Sequence, residues 1–245
     1  KEQEKTLADP GGTVRQVAKY LHGVGDSSNV LHRLLGGVAG AGLISRIVRG
    51  YTFISRNYRP GDQIFLVGFS RGAETARALG GWIAAKGLLA ESSALQLSDR
   101  EAAYRAGCAV WYQYRRDGIK ADAGTLARLE EIVRDLPAFV SRPAPAPLLP
   151  DIPISAIAVW DTVGALGIPE YNRGSFRIDA FRFCDTRLAP AVARGLHAVS
   201  VDERRADFTP TLWDPDQRIV QVLFPGAHAD VGGGYPAAQD ESGLS

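Results

Sequence analysis

Hydrophobic and polar residues follow two different periods along this chain. Val14 to Leu21 is half apolar, with Arg15, Gln16 and Lys19 interleaved, and predicts a strand running into the glycine-rich turn His22-Gly23-Val24-Gly25-Asp26. Leu43, Ile44, Ile47, Val48, Tyr51, Ile54 and Tyr58 fall at helical spacing, with Arg46, Arg49 and Arg56 opposite them. A turn at Arg59-Pro60-Gly61-Asp62 leads into a strand over Gln63 to Val67, and Ala73 to Ala85 predicts a helix that stops near Gly87. This β-α-β-α order is the signature of a parallel sheet with crossover helices. The fold class expected is therefore α/β: a mostly parallel sheet with helices on both faces.

Residues 91–150 interrupt the rhythm. Ala102, Ala103, Ala106, Val110 and Tyr114 form one helical face, and Leu126, Leu129, Ile132, Val133 and Leu136 another. Pro143, Pro145, Pro147, Pro150 and Pro153 make a stiff connection back to the sheet. A helical insertion capping the site and a pair of ordinary crossover helices fit this pattern equally. A cap would turn some of Tyr104, Trp111 and Tyr114 toward the site. Ile154 to Trp160 predicts a buried strand, Leu188, Val192, Leu196 and Val199 a helix, and Arg218 to Phe224 the last strand.

Composition narrows the class without deciding it. The 245 residues suit one large α/β domain, and 45% hydrophobic with 22% charged residues is ordinary for a globular chain. A net charge of +1 gives no reason to expect nucleic acid. Cys108 and Cys184 have small or apolar neighbours and predict buried free thiols, with a bridge between them as the alternative. No spacing suggests a metal site, and no dinucleotide or Walker A loop is present, so no cofactor is expected. The charged start Lys1-Glu2-Gln3-Glu4-Lys5 has no apolar stretch of a secretory signal behind it. There is no Met at all, and the chain is expected to be a piece of a longer polypeptide.

The chemistry centres on Gly68-Phe69-Ser70-Arg71-Gly72, which directly follows the apolar run Ile64 to Val67. A strand, a G-x-S-x-G turn and a helix in that order form a nucleophile elbow, which presents a strained serine above the sheet. Gly68 and Gly72 are expected to be obligatory, since a Cβ at either would clash. A serine hydroxyl needs a base, and the base needs an acid to fix its tautomer. Asp161 follows the strand ending at Trp160, and His228 follows the strand ending at Phe224. The order Ser70, Asp161, His228 fits the α/β-hydrolase order, and all three sit beyond the carboxyl ends of strands. His197, expected on a helix among apolar residues, is the alternative base. Asp202 and Asp230 are alternative acids, and Asp230 could instead pin the loop that bears His228 or bind a cation. For the oxyanion hole the candidates are the backbone N–H of Arg71, at a helix N-terminus, and that of Gly23. The second donor could also lie before residue 1.

Four motifs in order, GDQIFLVGFSRGAETAR, VWDTVGALG, CDTRL with HAVSVDERRADFTPTLW, and FPGAHADVGGGY, carry a further signal. From about Tyr20 to Ser245 the chain resembles the α/β-hydrolase family DUF2235. That family includes the Tle1-type phospholipase effectors of the bacterial type VI secretion system. The resemblance maps the family's serine, aspartate and histidine onto Ser70, Asp161 and His228. The family's upstream strand ending in Asp-Gly-Thr has at most a remnant here, Gly11-Gly12-Thr13, so that strand is expected to be missing or diverged.

The resemblance implies a serine esterase acting on a phospholipid or another acyl ester, with contact to a membrane surface. It also implies a secretion-apparatus carrier, an immunity protein, and synthesis in the bacterial cytoplasm followed by export to a target cell's periplasm. A carboxylesterase or thioesterase acting on a soluble substrate, and a non-catalytic binding module on a hydrolase fold, are the alternatives. An exposed apolar rim around Ser70 would favour the lipid.

Overall fold

The computed structural model describes residues 3–8, 15–22, 38–93, 95–118, 146–164 and 186–233. Strands β1 (Gln3–Ala8) and β2 (Arg15–Tyr20) pair antiparallel, with Gln3 opposite Tyr20 and Ala8 opposite Arg15. The strand expected near residues 14–21 is thus present, but in a hairpin and not in the parallel sheet. Its charged residues explain this. The strands of a parallel sheet are nearly continuous apolar runs, and Arg15, Gln16 and Lys19 interrupt this one. Gly11-Gly12-Thr13 and Gly23 lie outside the described residues.

Helix α1 (Val38–Asn57) buries Ile44, Ile47, Val48 and Tyr51, as its spacing predicts. Strand β3 (Phe65–Phe69) leads into helix α2 (Arg71–Lys86), which ends at Gly87. The two-residue strands β4 (Leu88–Leu89) and β5 (Leu148–Leu149) pair antiparallel on either side of helix α3 (Arg100–Gly118). Asp99 starts α3 by accepting the N–H groups of Glu101 and Ala102. Strands β6 (Ala156–Trp160), β7 (Gly195–Ser200) and β8 (Ile219–Phe224) follow, and the short helix α4 (His228–Val231) closes the described part.

The main sheet has the order β3-β6-β7-β8 and every pairing in it is parallel. An α/β fold with a mostly parallel sheet is therefore what the chain adopts. The segment expected to be a helix around Leu196 and Val199 is instead strand β7. Leu188, Val192, Leu196 and Val199 have helical spacing by coincidence. Pro190 and Gly195 both interrupt a helix, and residues 195–199 alternate inward and outward as a strand must.

Helix α2 packs on the face of the sheet formed by Leu66, Ile157 and Val159, and α1 and α3 pack on α2. At the centre of that layer Tyr51 stacks on Trp82 at 3.7 Å, and Trp111 meets Trp82 edge-on at 5.1 Å. Trp111 is fully buried and Tyr104 donates its hydroxyl to Ser45 at 3.0 Å. These two aromatics belong to the core. Trp82 lies about 16 Å along α2 from its start, at 1.5 Å per residue. Trp111 and Tyr104 both lie in the helical layer, and the helical pattern at Leu126–Leu136 lies outside the described residues. Among the described residues, helices cover one face of the sheet. On the other, Phe65, Val67, Trp160, Leu196, Val220 and Val222 are exposed.

Candidate active site

A parallel sheet delivers the carboxyl ends of all its strands to one edge, and the residues singled out in the sequence meet there. Ser70 follows β3 and has φ 58 and ψ −126, a left-handed backbone rarely tolerated by a residue with a Cβ. Such a conformation costs on the order of 1–3 kcal/mol and persists only where its surroundings enforce it. Here the Ser70 N–H donates to the Trp160 carbonyl at 3.0 Å, and the Ser70 carbonyl accepts the N–H of Ala73 at 3.0 Å. Gly68 is obligatory. A Cβ there would lie 2.3 Å from the Gly72 carbonyl oxygen and 2.7 Å from the Ala73 Cα. Gly72 differs from expectation: an added Cβ would meet no described atom within 4 Å. The motif's second glycine faces open space.

His228 opens α4 and is buried. Its Nε2 lies 2.8 Å from Ser70 Oγ, and its Nδ1 lies 2.7 Å from Asp161 Oδ2. An ionised carboxylate only accepts, so Nδ1 carries the proton and Nε2 presents a lone pair to the serine hydroxyl. Phe69 packs on one side of the imidazole at 4.5 Å and Phe208 stands edge-on to it at 4.8 Å. Gly232 makes room for Phe69, since a Cβ there would fall 2.1 Å from the ring.

Asp161 has no exposed surface and also a left-handed φ, 38. A carboxylate so placed must be fully hydrogen-bonded. The Ser200 N–H donates to Oδ1 at 2.9 Å, and the Ser200 hydroxyl donates to Oδ2 at 2.8 Å beside the imidazole. A serine hydroxyl, an imidazole and a buried carboxylate thus form one continuous hydrogen-bonded chain. Such a chain can lower the cost of removing the hydroxyl proton.

The alternatives lie elsewhere. His197 is buried on the α2 side of β7, where Gln221 Oε1 accepts from its Nδ1 at 3.2 Å and its Nε2 accepts the Thr162 N–H at 3.2 Å. Burial holds its imidazole below the usual range, so it is a neutral packed histidine on a strand. Asp202 accepts the Gly226 N–H at 2.7 Å, and Asp230 accepts the Ala227 N–H at 2.7 Å. Both pin the loop that carries His228. The Arg71 N–H begins α2 next to Ser70, and burial lowers the affinity of its guanidinium for a proton. Cys108 is a buried free thiol pushed up to about 12 by desolvation. Cys184 lies outside the described residues. Among the described residues no cluster of His, Cys, Asp and Glu is arranged to hold a metal ion.

Sequence reasoning missed Ser200, Glu203 and Phe208. Glu203 accepts the His228 N–H at 3.3 Å, and the Arg205 fork at 2.7 and 2.8 Å keeps its carboxyl well below the usual range. All three lie in the quoted run HAVSVDERRADFTPTLW, but their partners become visible only once the segment before them is a strand.

The fold and this edge define an α/β-hydrolase-like protein with a serine on a strained strand-to-helix turn. The chain belongs to the type VI secretion system phospholipase effector Tle1-like catalytic domain family, whose pattern matches residues 2–245. A curated relative, the Saccharomyces cerevisiae protein YEL023C, is 26% identical over 230 residues, covering 89% of this chain and 30% of its own length. Among solved structures, the Tle1 effector bound to the VgrG spike from the type 6 secretion system is 18% identical with a TM-score of 0.37. It matches 89% of this chain and 35% of its own. A protein from Pseudomonas aeruginosa is 20% identical with a TM-score of 0.30, over 78% of this chain and 31% of its own. The chain therefore spans about a third of the length of the relatives it matches.

Proposed function

We propose that this chain is a serine hydrolase that cleaves acyl ester bonds of phospholipids. The observation that carries the reading is the unbroken chain from Ser70 Oγ through His228 to the buried Asp161 carboxylate. In this mechanism Ser70 Oγ attacks the ester carbonyl while His228 Nε2 takes the hydroxyl proton. Asp161 stabilises the imidazolium that forms. The Arg71 N–H faces the developing oxyanion, and the α2 dipole favours negative charge there. Collapse expels the alcohol, which takes the proton from His228. Water, activated by the same imidazole, then releases the fatty acid and restores the serine.

Two observations favour a lipid over a soluble ester. The family is one of phospholipase effectors. The apolar side chains of Trp160, Val201, Leu223 and Phe224 are exposed at or just past the ends of β6, β7 and β8, on the edge that bears Ser70. They form a rim suited to the surface of a membrane. No helix among the described residues is long and apolar enough to cross one. The catalytic unit is residues 1–245 as a single domain with 91–150 inserted.

Delivery is a separate layer of the proposal. The Tle1 effector is described as bound to a VgrG spike, and we extend a secretion-apparatus carrier, a target-cell periplasm and an immunity partner to this chain. The yeast relative shows that such sequences also occur outside bacteria. The chemistry can therefore hold where the delivery does not.

The test is release of fatty acid from phospholipid vesicles by the purified protein, beside short p-nitrophenyl esters. Ser70→Ala and His228→Ala should each lower turnover by several orders of magnitude, and Asp161→Asn by somewhat less. Hydrolysis of short esters without any from vesicles would turn the assignment to a soluble esterase. Full activity of Ser70→Ala would end the enzymatic reading.

A further inference from the structure

The loop Ser200–Phe208 has no part in the proton relay, yet it touches two of its members, Asp161 and His228. Among the described residues the Asp161 carboxylate makes three hydrogen bonds, and Ser200 gives two of them, from its N–H and from its hydroxyl. Glu203 accepts the backbone N–H of His228 and is itself gripped by Arg205 through two short bonds. Arg205 lies 3.8 Å over the ring of Phe208, and Phe208 stands against the His228 imidazole. Asp202 holds Gly226, two residues before His228.

We propose that this loop is a clasp that positions the relay, in which Ser200 fixes the Asp161 carboxylate and Glu203 fixes the backbone of His228. The inference rests on the catalytic reading above. The Ser200 hydroxyl and the His228 Nδ1–H share one carboxylate oxygen, Oδ2. That sharing sets the rotation of the carboxylate and also how much negative charge faces the imidazole. Removing the hydroxyl leaves more charge for the imidazolium, so the protonated ring is held more tightly. The charged groups around His228 are Asp161, Glu203, Asp202, Asp230, Arg205 and, beside Ser70, Arg71. All remain when Ser200 is changed.

The experiment compares wild type, Ser200→Ala and Ser200→Thr on p-nitrophenyl butyrate across pH. Ser200→Ala should lower kcat about ten- to a hundredfold with KM little changed, the range for losing one charge-assisted orienting bond. The acid limb of its pH–rate profile should move to higher pH. Ser200→Thr, which keeps the hydroxyl, should restore both. Glu203→Ala should lower kcat by about tenfold through the loss of its bond to the backbone. A Ser200→Ala enzyme with wild-type kcat and an unmoved limb overturns the clasp. So does a loss explained wholly by less folded protein, with the limb in place. Titration of the His228 ring followed by NMR keeps the two readings apart. If wild type hydrolyses no ester, the catalytic reading falls. The ring of Ser200→Ala must still titrate at higher pH than that of wild type, and an unchanged titration overturns the clasp alone.

Discussion

Replacing the two glycines of the elbow should give opposite results, although their sequence roles look alike. An alanine at 68 places its Cβ 2.3 Å from the Gly72 carbonyl oxygen, 2.5 Å from the Gly72 carbonyl carbon and 2.7 Å from the Ala73 Cα. Ordinary contacts begin at 3.4 Å. The first turn of α2 must therefore retreat by about an ångström, and because all three atoms are backbone no side-chain rotation relieves them. Overpacking of this kind costs about 1–3 kcal/mol, and the absence of any rotamer escape puts Gly68→Ala at the upper end. At about 2–4 °C per kcal/mol for a chain of this size, its melting temperature should fall by roughly 6–12 °C. The turn that moves is also the one that carries Ser70 and the Arg71 N–H. A displacement of about an ångström in a reacting group costs on the order of a hundredfold in rate. Gly72→Ala meets no described atom within 4 Å and needs no left-handed φ. Alanine is the better helix former by about 1 kcal/mol, so this variant should melt about 2–4 °C higher. Thermal unfolding followed by circular dichroism, with the rate of fluorophosphonate labelling of Ser70, reads both effects. A Gly68→Ala protein that melts with wild type, or a Gly72→Ala protein harmed as much as Gly68→Ala, would refute this account of the elbow.

Gly232→Ala drives a Cβ into the Phe69 ring, which packs on His228, so kcat should fall about tenfold or more, and Phe69→Leu in the same chain should recover part of the loss as a non-additive pair. His197 is held neutral by burial in the folded state. Below its ordinary value of 6.5 the unfolded chain binds a proton that the folded chain does not, so stability present above that pH is lost progressively on acidification. Part of the drop in melting temperature between about pH 7 and pH 5 should therefore disappear in His197→Gln, and an identical slope in both proteins would contradict the assignment.

Ser70, Asp161 and His228 were visible in the sequence for a topological reason. In a parallel sheet, functional groups stand just past the strands, and each of these residues follows an apolar run that is easy to see. Ala73 to Ala85 and Leu43 to Tyr58 were equally clear, because a buried stripe at helical spacing survives without tertiary context. Strand β7 was not clear. Its inward positions are Gly195, His197 and Val199, and only the last is an apolar side chain of the kind that marks a strand. The hairpin partner of β2 was hidden for the same reason, since Gln3–Ala8 is mostly polar. Ser200, Glu203 and Phe208 were lost with β7, because their roles follow from its register.

That register also explains how two residues with a Cβ are kept in left-handed backbone at the site. The Ser70 N–H donates to the carbonyl of Trp160, the last residue of β6. The Asp161 N–H donates to the carbonyl of Ala198 in β7 at 2.7 Å, and the Val201 N–H donates to the carbonyl of Phe224, the last residue of β8, at 3.1 Å. Strands β3, β6 and β7 are each thus extended one residue past the end by a bond to the next strand. The residue at that step is Ser70 after β3 and Asp161 after β6, and both have positive φ. One ladder bond at each step opposes a backbone cost on the order of 1–3 kcal/mol, and the side-chain bonds to His228 and Ser200 oppose the rest. Strand β7 is the member that cannot be removed from this arrangement. It supplies the carbonyl under Asp161, both donors of Ser200 and the start of the loop that holds His228. The segment whose sequence least resembled a strand is the one on which the geometry of the site depends.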